Sequence, residues 1–352
     1  MNHAPADVLF RVDASPAIGS GHFMRCLALA QALVDSGLRI TWLAAELSEQ
    51  LEHLLADEDI HLVRVKAEVG SDDDAQQTVA QSEAHNARWI VLDGYRLNAA
   101  YRLQLAQARA RVLFIDDQGT GEPIHADLVL NQNLHAREQL YPQFRKRSAL
   151  LLGPRHVLLR RSLRQARPRT PEQRSRGRNL LVIAGGSDPQ GLCARVLGAL
   201  VREPPDLELT VVLGSRESTA HLFELERLAS LLRASVLENV QDMSATLDLA
   251  DLSISAAGST TWELMHFGIP SLLVSVADNQ RPIASSAGAA GAARDLGWHS
   301  ELCARSLLPQ LRELTEDRDR RQEMGERARK LVDGHGCQRV ITEMELAGVC
   351  AT

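Results

Sequence analysis

RVDASPAIGSGHFMRCLALAQAL, residues 11–33, decides the fold. An apolar run from Val8 to Val12 leads into a loop containing Gly19 and Gly21. A helical pattern follows, with Met24, Leu27, Leu29, Ala30 and Leu33 as its apolar positions. Strand, glycine turn and helix in that order present free backbone N–H groups at the helix start, which suits phosphate or another oxyanion. The loop is not that of a nucleotide triphosphatase, because GxxxxGK followed by Ser or Thr is absent. GSGHFM also lacks the third glycine of the dinucleotide pattern GxGxxG. His22 stands where a triphosphatase would carry its lysine, so a ligand other than ATP or NAD is expected.

The same rhythm runs outward from this stretch. Strands are expected at 8–12, 39–45, 61–65, 88–93, 111–115 and 127–131, with helices at 23–36, 47–56, 73–86 and 98–108. A second series starts at NLLVIAGGSD (179–188). Its strands follow at 207–213, 234–237, 251–255 and 270–276, and its helices at 190–201, 217–232, 243–249 and 259–267; residues 280–345 read as mostly helical. Alternating strands and helices of this kind form parallel sheets with helical crossovers. The fold expected is therefore α/β, with two Rossmann-like domains whose strand-end loops face a central cleft. The domain at 1–155 would carry the glycine loop. An arginine-rich linker is expected at 156–178, and a second domain with the C-terminal helices at 179–352.

Composition narrows the partners. The chain has 352 residues, 45% of them apolar, which fits two α/β domains of about 150 residues each. A net charge of −6 argues against a nucleic-acid partner, and 4% aromatic residues against a base-stacking platform. Cys26, Cys193, Cys303, Cys337 and Cys350 are odd in number, widely spaced and without a CxxC pair. They read as thiols of a reducing compartment, forming neither a disulfide frame nor a zinc site. No signal peptide and no run of the ~18 residues needed to span a membrane is apparent, so a cytoplasmic protein without stable membrane insertion is expected.

GPRHVLLRRSLRQARPRTPEQRSRGRN, residues 153–179, contains nine arginines and one acidic residue, Glu172. It reads as a solvated linker in preference to a docking surface for lipid head groups. The chain has only three lysines, so part of this bias belongs to the whole sequence. SDDDA (71–75) resembles a metal-binding DxD, but acids concentrate in first turns and a solvated helix start is preferred. No cluster has metal-ligand spacing. Met265 and His266 read as part of a packed helix and nothing more.

The second half carries the stronger ligand signal. In ADLSISAAGSTTWELMHFGIPSLLVSVADNQ (250–280), the turn Ala257-Gly258-Ser259-Thr260 opens a helix whose first N–H groups can bind phosphate. Glu263 lies one turn in, where it could accept two hydrogen bonds from a ribose diol or simply complement the helix dipole. VIAGGSDPQGL (182–192) supplies a second turn, with Gly186 and Ser187 near the ligand and Asp188 as a helix cap. Two such turns describe a nucleoside-diphosphate pocket, with a base meeting the main chain at Asn239 and Val240.

The motifs RVDASPAIGSGHFMRCLALA, VLDGY (91–95), FIDDQ (114–118), LNQN (130–133), LLGPRHVLLR (151–160), AGGSDP, AAGSTTWE and DNQ occur in this order over nearly the whole chain. That set resembles the UDP-2,4-diacetamido-2,4,6-trideoxy-β-L-altropyranose hydrolases of pseudaminic acid biosynthesis. The second half also resembles the nucleotide-binding domain of the peptidoglycan N-acetylglucosaminyltransferases. The resemblance implies a GT-B glycosyltransferase-like fold and a UDP-sugar substrate. It further implies release of UDP and free sugar by attack of water with inversion, with no cofactor or metal. The alternative is a GT-B glycosyltransferase with a lipid or saccharide acceptor. Ala257 departs from the pattern, which has a second glycine there.

His22 matches the family's proposed catalytic histidine, and its chemistry suits a general base at neutral pH. A helix N-terminus disfavours the imidazolium, which would keep the ring able to accept a proton. Asp13 could orient His22 or the sugar, or could bond the glycine loop's own N–H groups. Tyr95 and Asn131 match family positions near the sugar, and Asn279 and Gln280 belong to the DNQ motif. At least two of Asp93, Asp116 and Asp117 are expected to be strand-end caps.

Overall fold

The computed structural model describes residues 7–15, 20–119, 121–143, 149–174, 177–203, 205–214 and 219–349. Val8–Val12 (β1) is buried at every position, as a strand covered on both faces must be. Its neighbours are Ile40–Ala44 (β2) and Trp89–Asp93 (β4), both equally buried. His61–Arg64 (β3), Arg111–Ile115 (β5), Leu128–Asn131 (β6) and Ala149–Leu152 (β7) complete a parallel sheet in the order β3-β2-β1-β4-β5-β6-β7. The helices Gly21–Asp35 (α1), Glu49–Ala56 (α2), Asp72–Ala84 (α3) and Ala99–Leu105 (α4) make the crossovers. The order reverses between β1 and β4, which makes the carboxyl ends of these two strands a topological switch point.

After Arg161–Gln165 (α5), the second sheet repeats the plan. Asn179–Ile183 (β8), Glu208–Leu213 (β9), Ser235–Glu238 (β10), Leu252–Ala256 (β11), Ser271–Ser275 (β12) and Arg294–Trp298 (β13) lie in the order β10-β9-β8-β11-β12-β13. All pairs are parallel, and the reversal falls between β8 and β11. The helices are Leu192–Leu200 (α6), Leu222–Leu232 (α7), Met243–Leu249 (α8), Thr260–Phe267 (α9), Arg281–Ala289 (α10), Ala304–Glu316 (α11) and Arg318–Leu331 (α12).

The chain divides into one unit of residues 1–161 and 335–352 and another of 162–334, which moves both expected boundaries. The last helix, Gly336–Val349 (α13), returns to the first unit, where Cys337, Val340, Ile341 and Met344 join the core under α1. Gly336 permits this return: a methyl group there would stand 2.1 Å from the Val157 carbonyl oxygen. The arginine-rich stretch is not a solvated linker either. Arg161 pairs with Asp35 and Glu58 in the first unit. Arg174 is buried in the second, where its guanidinium donates to the carbonyls of Leu247, Asp248, Ala250 and Phe267. It thereby closes the C-terminal ends of α8 and α9, whose last carbonyls have no partner within their own helices. Burial pulls its guanidinium down to about 10.

Two strands escape the sequence reading, β7 and β13. The second has alternating half-buried and exposed residues and a glycine, which hides it inside a helical region. The acidic run at 71–75 does start a helix, with Ser71 accepting the Asp74 N–H. Asp74 itself is fully buried and binds the buried Arg11 through both oxygens, so it is not solvated. His266 does more than pack: its ring nitrogens face the carbonyls of Leu163 and Val332 at 3.2 and 3.4 Å.

Candidate active site

In the first unit, the reversal between β1 and β4 assembles a cluster of charged side chains. His22 is the second residue of α1, and Asp93 ends β4, in register with Val12 of β1. Nδ1 of His22 lies 2.6 Å from Asp93 Oδ1, too close for two lone pairs, so Nδ1 carries the proton and donates it. Nε2 of the neutral ring is then an acceptor. Arg25, one turn along α1, donates from Nε and Nη2 to the two oxygens of Asp93 at 2.5 and 2.7 Å. Its Nη1 donates to Asp117 Oδ1 at 2.6 Å, and the buried Cys26 thiol donates to Asp93 Oδ2 at 3.3 Å. The side chains of His22, Asp93, Arg25 and Asp117 are 8, 0, 8 and 16% exposed, so solvent screens these charges weakly.

Burial by itself would raise the Asp93 carboxyl, but Arg25 and His22 overcome it and hold the group well below the ordinary carboxylate range. Asp117 is likewise lowered against burial, by Arg25. Arg25, which burial would lower, is held well above its usual value by Asp117 and Asp93. Burial and the Asp93 charge push the Cys26 thiol up, so it remains a neutral donor. Tyr95 stands at the rim, 54% exposed, with its ring edge-on to His22 at 4.7 Å between centroids. Its hydroxyl donates to Asp117 Oδ2 at 3.2 Å, and the Asn133 amide donates to Asp117 Oδ1 at 3.0 Å.

The remaining candidates of this unit divide. Gly21 begins α1 beside His22, whereas Gly19 lies outside the described residues. Asp13 accepts the N–H groups of Ala45 and Glu46 and a guanidinium bond from Arg11, so it fastens the loop after β2. These partners engage both of its oxygens, while residues 16–19 of the glycine loop lie outside the described residues. Asn131 is completely buried; its amide donates to the Tyr141 hydroxyl and its oxygen accepts the Asn133 N–H, which supports the site from beneath. Strand-end capping describes Asp116, which accepts from Gln118 and Gly119, but not Asp93 or Asp117. Both of those went to Arg25, a residue the apolar pattern of α1 gave no reason to single out.

In the second unit the loops after β8 and β11 meet at the reversal point. A methyl group on Gly185 would lie 4.0 Å from the Thr260 hydroxyl, and one on Gly258 3.5 Å from Gln280 Nε2. The two turns, Thr260 and Gln280 are therefore brought together, with Gln280 anchored by accepting the Val276 N–H. Gly214, at the end of β9, backs the first turn: a methyl group there would sit 2.2 Å from the Gly186 oxygen. Ser187 is half-buried in this turn, and Asp188 caps α6 by accepting the N–H groups of Leu192 and Cys193.

The start of α9 is tighter than expected, because Thr261 and Trp262 donate to the carbonyls of Gly258 and Ser259. Among the described residues, no backbone bond engages the N–H groups of Ser259 and Thr260, and the Ser259 hydroxyl makes no capping bond. Ala257 is buried, does not have a positive φ and donates to Val274, so no glycine is needed there. Glu263 lies half-buried in the first turn of α9, and Asn279 is exposed in the 3-10 turn Asp278–Gln280. The Asn239 N–H is taken by the Leu213 carbonyl, which removes it as a donor to a base, while Val240 is half-buried beside it. Among the described residues, no three His, Cys, Asp or Glu side chains come together as metal ligands.

Comparison with known proteins adds to this geometry. Residues 180–338 match the glycosyltransferase family 28 C-terminal domain. That range covers the sheet and both turns of the second unit. The crystal structure of Acinetobacter baumannii MurG superposes with a TM-score of 0.68 at 18% identity, over 96% of this chain and 98% of that one. Anabaena HepE in complex with UDP and glucose gives 0.64 at 13% identity, over 97% and 100%. The fold is GT-B. By sequence, the chain is 26% identical over 330 residues to the spore coat polysaccharide biosynthesis protein SpsG of Bacillus subtilis, covering 93% of this chain and 94% of SpsG. It is 38% identical over 122 residues to the UDP-N-acetylglucosamine–N-acetylmuramyl-(pentapeptide) pyrophosphoryl-undecaprenol N-acetylglucosamine transferase of Halorhodospira halophila, covering 33% of this chain and 34% of the transferase.

Proposed function

We propose that this GT-B chain cleaves the anomeric C–O bond of a UDP-linked sugar, with His22 as the general base and water as the acceptor. The observation that carries the base is the 2.6 Å bond from His22 to Asp93, which leaves Nε2 as the proton acceptor of the neutral ring. In the proposed step, water oxygen bonds to C1 as its proton passes to Nε2. The C1–O bond to the β-phosphate breaks, UDP leaves with the electron pair, and the anomeric centre inverts. Asp93 holds the ring and stabilises the imidazolium without taking its proton. The turns at Gly186–Ser187 and Gly258–Thr260 bind the pyrophosphate through main-chain N–H groups and hydroxyls, with Gln280 beside them.

Water as acceptor is supported by the burial of His22, 7% exposed, which a small nucleophile suits. It is supported also by the resemblance of the ordered motifs to the hydrolases that act on UDP-2,4-diacetamido-2,4,6-trideoxy-β-L-altropyranose, the substrate proposed. A second reading is transfer to a lipid or saccharide hydroxyl with the same base. The family match and the named transferase relatives favour it. NMR of that UDP-sugar with the protein, without acceptor and in EDTA, separates the two. Prompt UDP release with the inverted free sugar, lost in His22→Ala while UDP still binds, is the expected result. Turnover that appears only when a hydroxyl acceptor is added would replace hydrolysis by transfer.

A further inference from the structure

The cluster around His22 holds more negative charge than its packing requires. Asp93 and Arg25 already form a bidentate pair, which neutralises both buried groups. Asp117 adds a second carboxylate to the same guanidinium, from the loop after β5, and is itself held by Asn133 and Tyr95. With a neutral imidazole, one guanidinium and two carboxylates leave the cluster at −1; with an imidazolium it is neutral. The second carboxylate therefore favours a protonated His22, while Arg25, whose Nη2 lies 3.0 Å from Nδ1, opposes it.

We propose that Asp117 is a positioning residue that, through Arg25, sets the pH below which His22 is lost as a base; this rests on the reading of His22 as the base of the reaction. Among the described residues, the groups facing the ring are Asp93 and Tyr95 from β4 and the loop after it, Arg25 from α1, and Asp117 from the loop after β5. Cys26 and Tyr95 are neutral donors to the two carboxylates and change no charge. His135 meets the cluster through the Asp117 backbone, and burial lowers it, which keeps it uncharged near neutral pH. Asp117 is thus the one ionised group of the cluster that can be neutralised without breaking either bond from Arg25 to Asp93.

The test is Asp117→Asn, with Asp117→Ser as a second variant of the full chain that removes the same charge. Two readouts are taken: the nitrogen-15 NMR titration of the His22 ring, and the pH profile of kcat for UDP release. Removing the charge is expected to move the ring's midpoint and the acid limb of the profile down together by ~1 pH unit, with KM unchanged. An unmoved midpoint in either folded variant overturns the proposal, even where kcat falls, because a structural role alone would lower activity without shifting the titration. A downward shift in a protein that releases no UDP, with or without an acceptor, leaves the coupling standing and sinks the enzymatic reading.

Discussion

Asp93→Asn removes one charge and changes almost no volume. The carboxylate accepts from His22 Nδ1, from Arg25 twice and from Cys26, and is 1% exposed. An amide has one acceptor oxygen, so its NH2 must face Arg25 or the ring and leaves a buried donor without a partner. Breaking a buried ion pair costs about 3–5 kcal/mol, and the lower figure applies because Arg25 keeps Asp117. At about 2–4 °C per kcal/mol for a unit of this size, the unfolding midpoint should fall by roughly 6–12 °C. Catalysis should fall further than stability. Without the carboxylate the ring no longer prefers the tautomer with Nε2 free, and loss of base catalysis costs about 10²- to 10⁴-fold in kcat. The assay is UDP release well below the variant's melting temperature, with thermal unfolding followed by circular dichroism. A kcat within twofold of the parent, as an order-of-magnitude bound of about 0.4 kcal/mol, would refute the dyad. An unchanged melting temperature would refute the ion cluster.

Two further outcomes are expected. Gly214→Ala places a methyl group against the Gly186 oxygen, at 2.2 Å before any movement, and must displace the turn at Gly185–Ser187. UDP binding measured by calorimetry should weaken about tenfold, equivalent to about 1.4 kcal/mol, with no change at the His22 ring. Unaltered affinity would remove that turn from the nucleotide site. In acid, the folded Asp93 and Asp117 hold their protons less tightly than the unfolded chain, whose aspartates titrate near ~3.9. The unfolded state then binds more protons, so the stability these groups contribute is complete above that pH and is lost as pH falls from there through their lower folded values. Denaturant titrations should show this loss shrinking in Asp117→Asn; an identical acid dependence would contradict the assigned ionisation.

The strands around both reversal points were legible because their signal is local. Mostly apolar runs such as Val8–Val12 and Trp89–Asp93, interrupted only by Arg11 and Asp93, are what strands covered on both faces require, and small residues mark the turns after them. Exposed edges carry less pattern, which is why β13 was read as helix. Asp188 could be read as a cap from four residues of sequence, since cap and helix start are adjacent. Asp13 and Asn131 show the opposite case: Ala45, Glu46 and Tyr141, which bond them, lie outside their own turns and no local pattern announces them.

His22 as a candidate, the two glycine turns after β8 and β11 and the two-sheet plan were thus determined by the sequence alone, through periodicity and short-range turn chemistry. What His22 is bonded to was decided by tertiary structure. Asp93 lies 71 residues from His22, and Asp117 lies 92 residues from Arg25. Sheet order, set by which strands pair across the reversal point, brings them within hydrogen-bonding distance. Burial then makes their charges act on one another strongly enough to hold the ring in one tautomer. The return of α13 and the capping by Arg174 were decided in the same way, by close approach of segments that no local pattern links.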